Sequence, residues 1–146
     1  MTDRRLAAEA WESLFRAQHE VFAEISSDFE GAPLTNGEYD VLLTVVRSPD
    51  MQARLRTVTA NVLISQPSVS RLVDRMVHEG LVEKLPDPDD GRGAIVKATP
   101  KAGALFRKLA SAHASTIAAR MSVLSDDELG HLLTLTRKLR GDRANH

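Results

Sequence analysis

The sequence predicts a mainly α-helical chain with a small β-hairpin. Three observations point to it. Apolar residues recur at helical spacing through most of the chain, several of those stretches open with side-chain caps, and one turn-rich stretch lies between two short β-forming runs. With 146 residues, 42% hydrophobic and 27% charged, the chain holds enough apolar material for one core of ordinary size. A single unit spanning residues 1–146 is expected.

The first element runs from about Leu6 to Phe29. Trp11, Leu14, Phe15, Val21, Phe22, Ile25 and Phe29 follow helical spacing, while Glu9, Glu12, Glu20 and Glu24 occupy other faces. So broad an apolar stripe at one end of a chain calls for a partner. Gly31-Ala32-Pro33 breaks the helix, and Thr35 with Glu38 three residues on forms a capping box for a second helix reaching about Arg47. Ser48-Pro49-Asp50 ends it. A short helical pattern or extended piece follows around Leu55, Val58, Val62 and Leu63.

Ser65 is placed to cap the next helix, with Pro67 tolerated in its first turn. Val69, Leu72, Val73, Met76 and Val77 form its apolar face, and Gly80 stands where a C′ residue belongs. The opposite face carries Pro67, Ser68, Arg71, Asp74, Arg75 and His78, which is polar and rich in donors. Leu81–Leu85 and Ala94–Ala98 read as two strands joined by a turn-forming stretch from Pro86 to Gly93. Thr99-Pro100 caps a helix running to about Met121, and Ser125 with Glu128 opens a last helix through Leu129, Leu132, Leu133, Leu135 and Leu139.

Charge is unevenly spread although the net value is only −1. Residues 1–46 hold three basic and nine acidic side chains, residues 47–101 nine and seven, and residues 102–146 seven and four. The acidic first third and basic last third can pair, leaving the middle for a polyanion; a set of solvated helix faces is the plainer reading. With no cysteine there is no disulfide, thiolate nucleophile or cysteine zinc site. Apolar runs such as Val41-Leu42-Leu43 are far too short to span a bilayer, and the amino terminus lacks a secretory h-region, so a cytoplasmic protein is expected. No glycine-rich phosphate loop or nucleophile and base pair is legible, so an enzyme is not expected, nor any cofactor. His19, His78, His113, His131 and His146 show no metal-binding spacing.

Two short helices followed by a strand pair describe a winged helix-turn-helix, whose second helix enters the DNA major groove while the hairpin lies along the backbone or minor groove. Three stretches resemble the MarR family of winged-helix transcriptional regulators: Ser65 to Leu85 (SQPSVSRLVDRMVHEGLVEKL), Asp87 to Thr99 (DPDDGRGAIVKAT) and Leu34 to Leu43 (LTNGEYDVLL). The resemblance implies a homodimer with interlocked first and last helices, about 5–30 and 100–141, and a winged lobe at about 50–99. It implies a repressor that meets a pseudo-palindromic operator in double-stranded DNA, with Arg92 reaching the minor groove and Asp90 orienting its guanidinium. The expected DNA-facing set is Gln66, Ser68, Ser70, Arg71, Arg75, Arg92 and Lys97. Departures from the family pattern are Pro67, which lacks a backbone N–H, Gly91 in place of a second basic residue, and Ala98 in place of leucine.

Between lobe and dimer helices the resemblance implies a cleft for a small effector. Trp11, Arg16, His19 and Tyr39 are the candidates to line it, the arginine and histidine engaging a small aromatic carboxylate. The plainer reading makes all four packing or surface residues. A winged-helix domain used for protein contact is the alternative function, since fold alone does not settle the partner.

Overall fold

The computed structural model describes residues 1–63 and 68–141. Among the described residues, α-helices and strands follow in the order α1 (Arg4–Ile25), α2 (Asn36–Arg47), β1 (Gln52–Arg54), α3 (Leu55–Asn61), α4 (Val69–His78), β2 (Val82–Asp87), β3 (Asp90–Ala98), α5 (Pro100–Met121) and α6 (Asp126–Leu139). The fold class is as expected: mainly helical, with a winged lobe on a helical frame.

Local chemistry sets the boundaries. The Thr35 hydroxyl accepts the Glu38 N–H at 3.1 Å while the Glu38 carboxylate accepts the Thr35 N–H at 2.8 Å, which starts α2. Ser125 and Glu128 repeat the arrangement at α6, and the Thr99 hydroxyl accepts the Ala102 N–H ahead of Pro100 to start α5. The C-terminus of α4 closes as a Schellman turn: Leu81 N–H donates to Met76 O at 2.9 Å and Gly80 N–H to Val77 O at 3.1 Å. Gly80 takes φ +76°, a conformation in which a side chain would be strained.

Several expectations need correction. The first helix stops at Ile25, and Ser26–Phe29 wind as a 3₁₀ turn that carries Asp28 and Phe29 toward α5. Ser68, not Ser65, caps α4, accepting the Arg71 N–H at 3.2 Å; Ser65, Gln66 and Pro67 lie outside the described residues. Val77 is 39% exposed, so the buried face of α4 is Val69, Leu72, Val73 and Met76. The hairpin strands are longer than expected, running through Pro86 on one side and from Asp90 on the other. Proline is tolerated there because the strand order β1-β3-β2 puts β2 at an edge, and the register is irregular between Pro86 and Asp87.

The core sits inside the lobe. Leu34, Val41, Leu42, Val45, Val58, Val73, Met76 and Val96 are fully buried, joining α2, α3, α4 and β3. Buried Asp40 of α2 accepts the Leu63 N–H at 2.8 Å and so anchors the chain as it leaves α3. Outside the lobe the picture reverses: neither α1 nor α6 has a buried residue. Trp11 is 62% exposed, Phe15 55%, Leu135 60% and Leu139 74%.

Candidate nucleic-acid interface

Burying Val69, Leu72, Val73 and Met76 turns the rest of α4 outward, because ten helical residues can hide only one face. Ser70, Arg71, Asp74, Arg75 and His78 are exposed on it. Ser68 is partly buried, its hydroxyl committed to the cap. Asp74 is engaged sideways by Lys84 of β2 at 3.1 Å. Arg71 and Arg75 have no carboxylate at ion-pair distance among the described residues, nor do Arg56 and Arg92. Their donors therefore remain available to an anion.

Between α3, the start of α4 and the wing runs a groove of about 700 Å³ whose lining includes Arg54, Arg56, Thr59, Ser70, Lys84 and Arg92. It brings Ser70 and Arg92 of the expected set together and adds Arg54, Arg56 and Lys84, which sequence reasoning missed. Arg54 and Arg56 flank Leu55 at the start of α3, where nothing in the local pattern ties them to a hairpin more than 30 residues on. Lys97 stands apart. It is exposed in β3 between Gln52 and Glu83, one pair from the hairpin root, whereas Arg92 is at the opposite end of the strand. Asp90 also differs from expectation: its carboxylate accepts the Arg92 backbone N–H at 3.0 Å, fixing the turn rather than holding the guanidinium.

The four effector candidates do not share a site within one protomer. Arg16 pairs with Glu12 at 3.1 Å on the exposed side of α1, Trp11 packs on Phe15 with ring centroids 5.7 Å apart, and His19 is exposed. Tyr39 alone lines a cavity of about 290 Å³ where α1 and the 3₁₀ turn meet α2 and α5. Phe22, Phe29, Asn36, Arg47 and His113 line it too. Tyr39 stacks on Phe106 at 4.9 Å and meets the edge of His113 at 5.6 Å, while Phe29 lies 5.0 Å from His113. Burial pushes the Tyr39 phenol above its ordinary range, with the charge of Arg47 acting against it.

His113, which lines this cavity, meets Asp28 with a 2.8 Å contact between Nδ1 and Oδ2, and the Thr116 hydroxyl donates to Asp28 Oδ1 at 3.1 Å. The hydrogen bond to His113 is the main cause that holds the Asp28 carboxyl below its usual range, helped by Thr116 and opposed by burial. A second tie between the first and last thirds joins Arg120 to Glu24. No group of three His, Cys, Asp or Glu among the described residues is arranged to hold a metal ion, and no described helix is long and apolar enough to cross a membrane.

Comparison with known proteins agrees with this geometry. The model of the MarR family matches residues 32–93. The uncharacterized HTH-type transcriptional regulator YkoM of Bacillus subtilis is 29% identical over 102 residues, 69% of this chain and 64% of that protein. The match thus spans slightly under two thirds of the relative's length. Among solved structures, the MarR family regulator AbsC of Streptomyces coelicolor superposes with a TM-score of 0.78 at 21% identity, covering 97% of each chain. Sco3205 of the same organism, solved in complex with DNA, gives 0.81 at 17% identity, covering 99% of this chain and 91% of that one.

The Asp28 contact yields a pH dependence. A carboxyl whose folded pKa is depressed adds stability above its unfolded value, near 3.9, and loses it as the pH falls through the folded value. Asp28→Asn should therefore melt below the wild type at neutral pH, the two converging in acid below about pH 4. Thermal melts from about pH 7 to about pH 2 check this. A gap of constant size would show that ionisation of Asp28 contributes nothing. With an exposed arginine-bearing helix and a three-stranded wing, the chain has a winged-helix fold, and its winged lobe is similar to the MarR family over residues 32–93.

Proposed function

We propose that the chain is a DNA-binding transcription regulator, a ligand-responsive repressor that grips a pseudo-palindromic operator as a homodimer. The observation that carries this reading is the pairing of an outward α4 face bearing Arg71 and Arg75 with a basic groove leading to Arg92 on the wing. Arginine forks suit guanine O6 and N7 in the major groove, and the groove between helix and wing suits phosphate. Gln66, expected in the same reading head, lies outside the described residues.

The dimer follows from what one protomer leaves uncovered. Leu14, Val21, Phe22 and Ile25 of α1 meet Met121, Leu132 and Leu133 along an open apolar trough of about 500 Å³. A patch of this kind, with Trp11, Phe15 and Leu139 beside it, is larger than single exposed side chains on a monomer account for. A two-fold related copy covers it with the same surface. Two α4 helices then meet one face of the duplex, about one helical turn apart.

For the effector, the cavity beside Tyr39 fits a small ring flanked by Phe29 and Tyr39, with Arg47 at hand for a carboxylate. An occupant there weakens DNA binding by favouring a lobe spacing that mismatches the half-sites, and coupling of about 1–3 kcal/mol corresponds to roughly 5- to 150-fold.

Arg71→Ala is expected to weaken operator binding by about 1–3 kcal/mol and to relax base preference, whereas Arg92→Ala weakens it with less change in preference. Mobility-shift titrations at several salt concentrations read both, and a protein-contact module would show no sequence preference at any of them. Sedimentation at micromolar concentration should give a dimer; a stable folded monomer contradicts the interface. In calorimetry with a panel of aromatic carboxylates, Arg47→Ala should lower affinity about tenfold or more while Arg16→Ala leaves it unchanged. Loss confined to Arg16→Ala would move the site onto α1, and no binding by any acid would remove the effector.

A further inference from the structure

Asp87, Asp89 and Asp90 crowd the end of the wing beside Arg92, an acidic surround for a loop that is to lie on a polyanion. The structure resolves the conflict from outside the hairpin. Arg54, the last residue of β1, spreads its guanidinium across the turn: Nε lies 3.0 Å from Asp87 Oδ2 and Nη2 lies 3.0 Å from Asp89 Oδ2. The Asp87 side chain is only 3% exposed, and its Oδ1 accepts the Asp89 N–H at 2.9 Å. Asp90 in turn accepts the Arg92 N–H at 3.0 Å. Gly93 leaves the room this needs, since a Cβ there would stand 3.1 Å from Asp90 Oδ2 and 3.3 Å from the Asp87 Cβ.

We propose that Arg54 is a positioning residue of the wing, neutralising Asp87 and Asp89 and locking the turn so that Arg92 is presented to the duplex. The inference rests on the reading that the wing meets DNA. Two of the Arg54 donors are already committed to carboxylates, so its part in the groove is to organise rather than to grip phosphate. Without it, a buried carboxylate at Asp87 would have lost its cation, a cost the turn escapes by opening to water. Lysine keeps the charge but is a point donor that cannot fork across two carboxylates, so it separates charge from geometry.

The test compares Arg54→Lys, Arg92→Ala and the double variant in mobility-shift titrations, and follows amide hydrogen exchange of each protein without DNA. Arg54→Lys should weaken DNA binding about tenfold, the order set by one lost charge-assisted contact, and should add less than about twofold to Arg92→Ala. The Asp89 and Arg92 amides should exchange faster in Arg54→Lys while core amides of α2 stay protected. Wild-type affinity in Arg54→Lys while Arg92→Ala is weakened, or losses that multiply in the double variant, would make Arg54 a simple phosphate contact and overturn the proposal. Unchanged exchange at Asp89 and Arg92 overturns the clamp itself. Faster exchange with DNA affinity unaltered in all three variants overturns instead the reading that the wing meets DNA, and the presentation of Arg92 falls with it.

Discussion

The seam between α4 and the lobe core governs most of what the molecule can do. A ten-residue helix is marginal in water, so α4 persists because Val69, Leu72, Val73 and Met76 are buried against α2 and β2. Each fully buried side chain of this kind contributes about 1.5–3 kcal/mol. The same burial fixes helix rotation, and with it the outward direction of Arg71 and Arg75. The face that holds α4 in the lobe and the face proposed to meet DNA are thus opposite sides of one helix. The Schellman turn at Gly80 then delivers the chain directly into β2, so the wing is set relative to the exposed face by backbone hydrogen bonds rather than by a long loop.

Thr99 extends that rigidity into the helical frame. Its hydroxyl donates to Gly80 O at 2.8 Å while accepting the Ala102 N–H, and its backbone N–H donates to Leu81 O at 3.0 Å. One residue therefore joins the end of α4, the root of the wing and the start of α5. These short hydrogen bonds tie the start of α5 to the lobe. On the other side of α5, His113 holds Asp28 and packs on Phe29 and Tyr39, so α5 links the cavity to the wing root along one continuous helix.

Local signals were legible in the sequence and distant ones were not. The capping boxes at Thr35 and Ser125, the Thr99-Pro100 start and the Gly80 stop each depend on residues within five positions, and all stand in the structure. Ser68 rather than Ser65 caps α4 because two serines close together offer the same local chemistry, and only the burial of Val69 chooses between them. The full length of the hairpin was hidden by Pro86 and a run of turn formers, which an edge strand tolerates and a central one does not. Arg54 reaches Asp89 across 35 positions and His113 reaches Asp28 across 85, so neither pairing leaves any periodic trace. Within one protomer the effector candidates on α1 do not gather with Tyr39 for the same reason: amphipathic spacing assigns a face, and only packing says what that face meets.

The placement of charge explains why a protein of net charge −1 can present a surface for a polyanion. Several acidic side chains of the first third are spent within the chain: Glu9 on Arg5, Glu12 on Arg16 and Glu24 on Arg120 from α1, and Asp28 of the 3₁₀ turn on His113. Those of the wing turn, Asp87, Asp89 and Asp90, are folded onto Arg54 or onto the turn's own amides. The outward α4 side keeps Arg71 and Arg75 without carboxylate partners among the described residues, beside Asp74, which Lys84 engages, and an exposed Glu79. The exposed pairs on α1, Arg5 with Glu9 and Arg16 with Glu12, add little stability, typically under about 1 kcal/mol each, so their consequence lies elsewhere. Acids paired in this way set up less long-range repulsion against a polyanion, so that, within a screening length of about 8 Å at physiological salt, the local arginines would decide the proposed encounter with DNA.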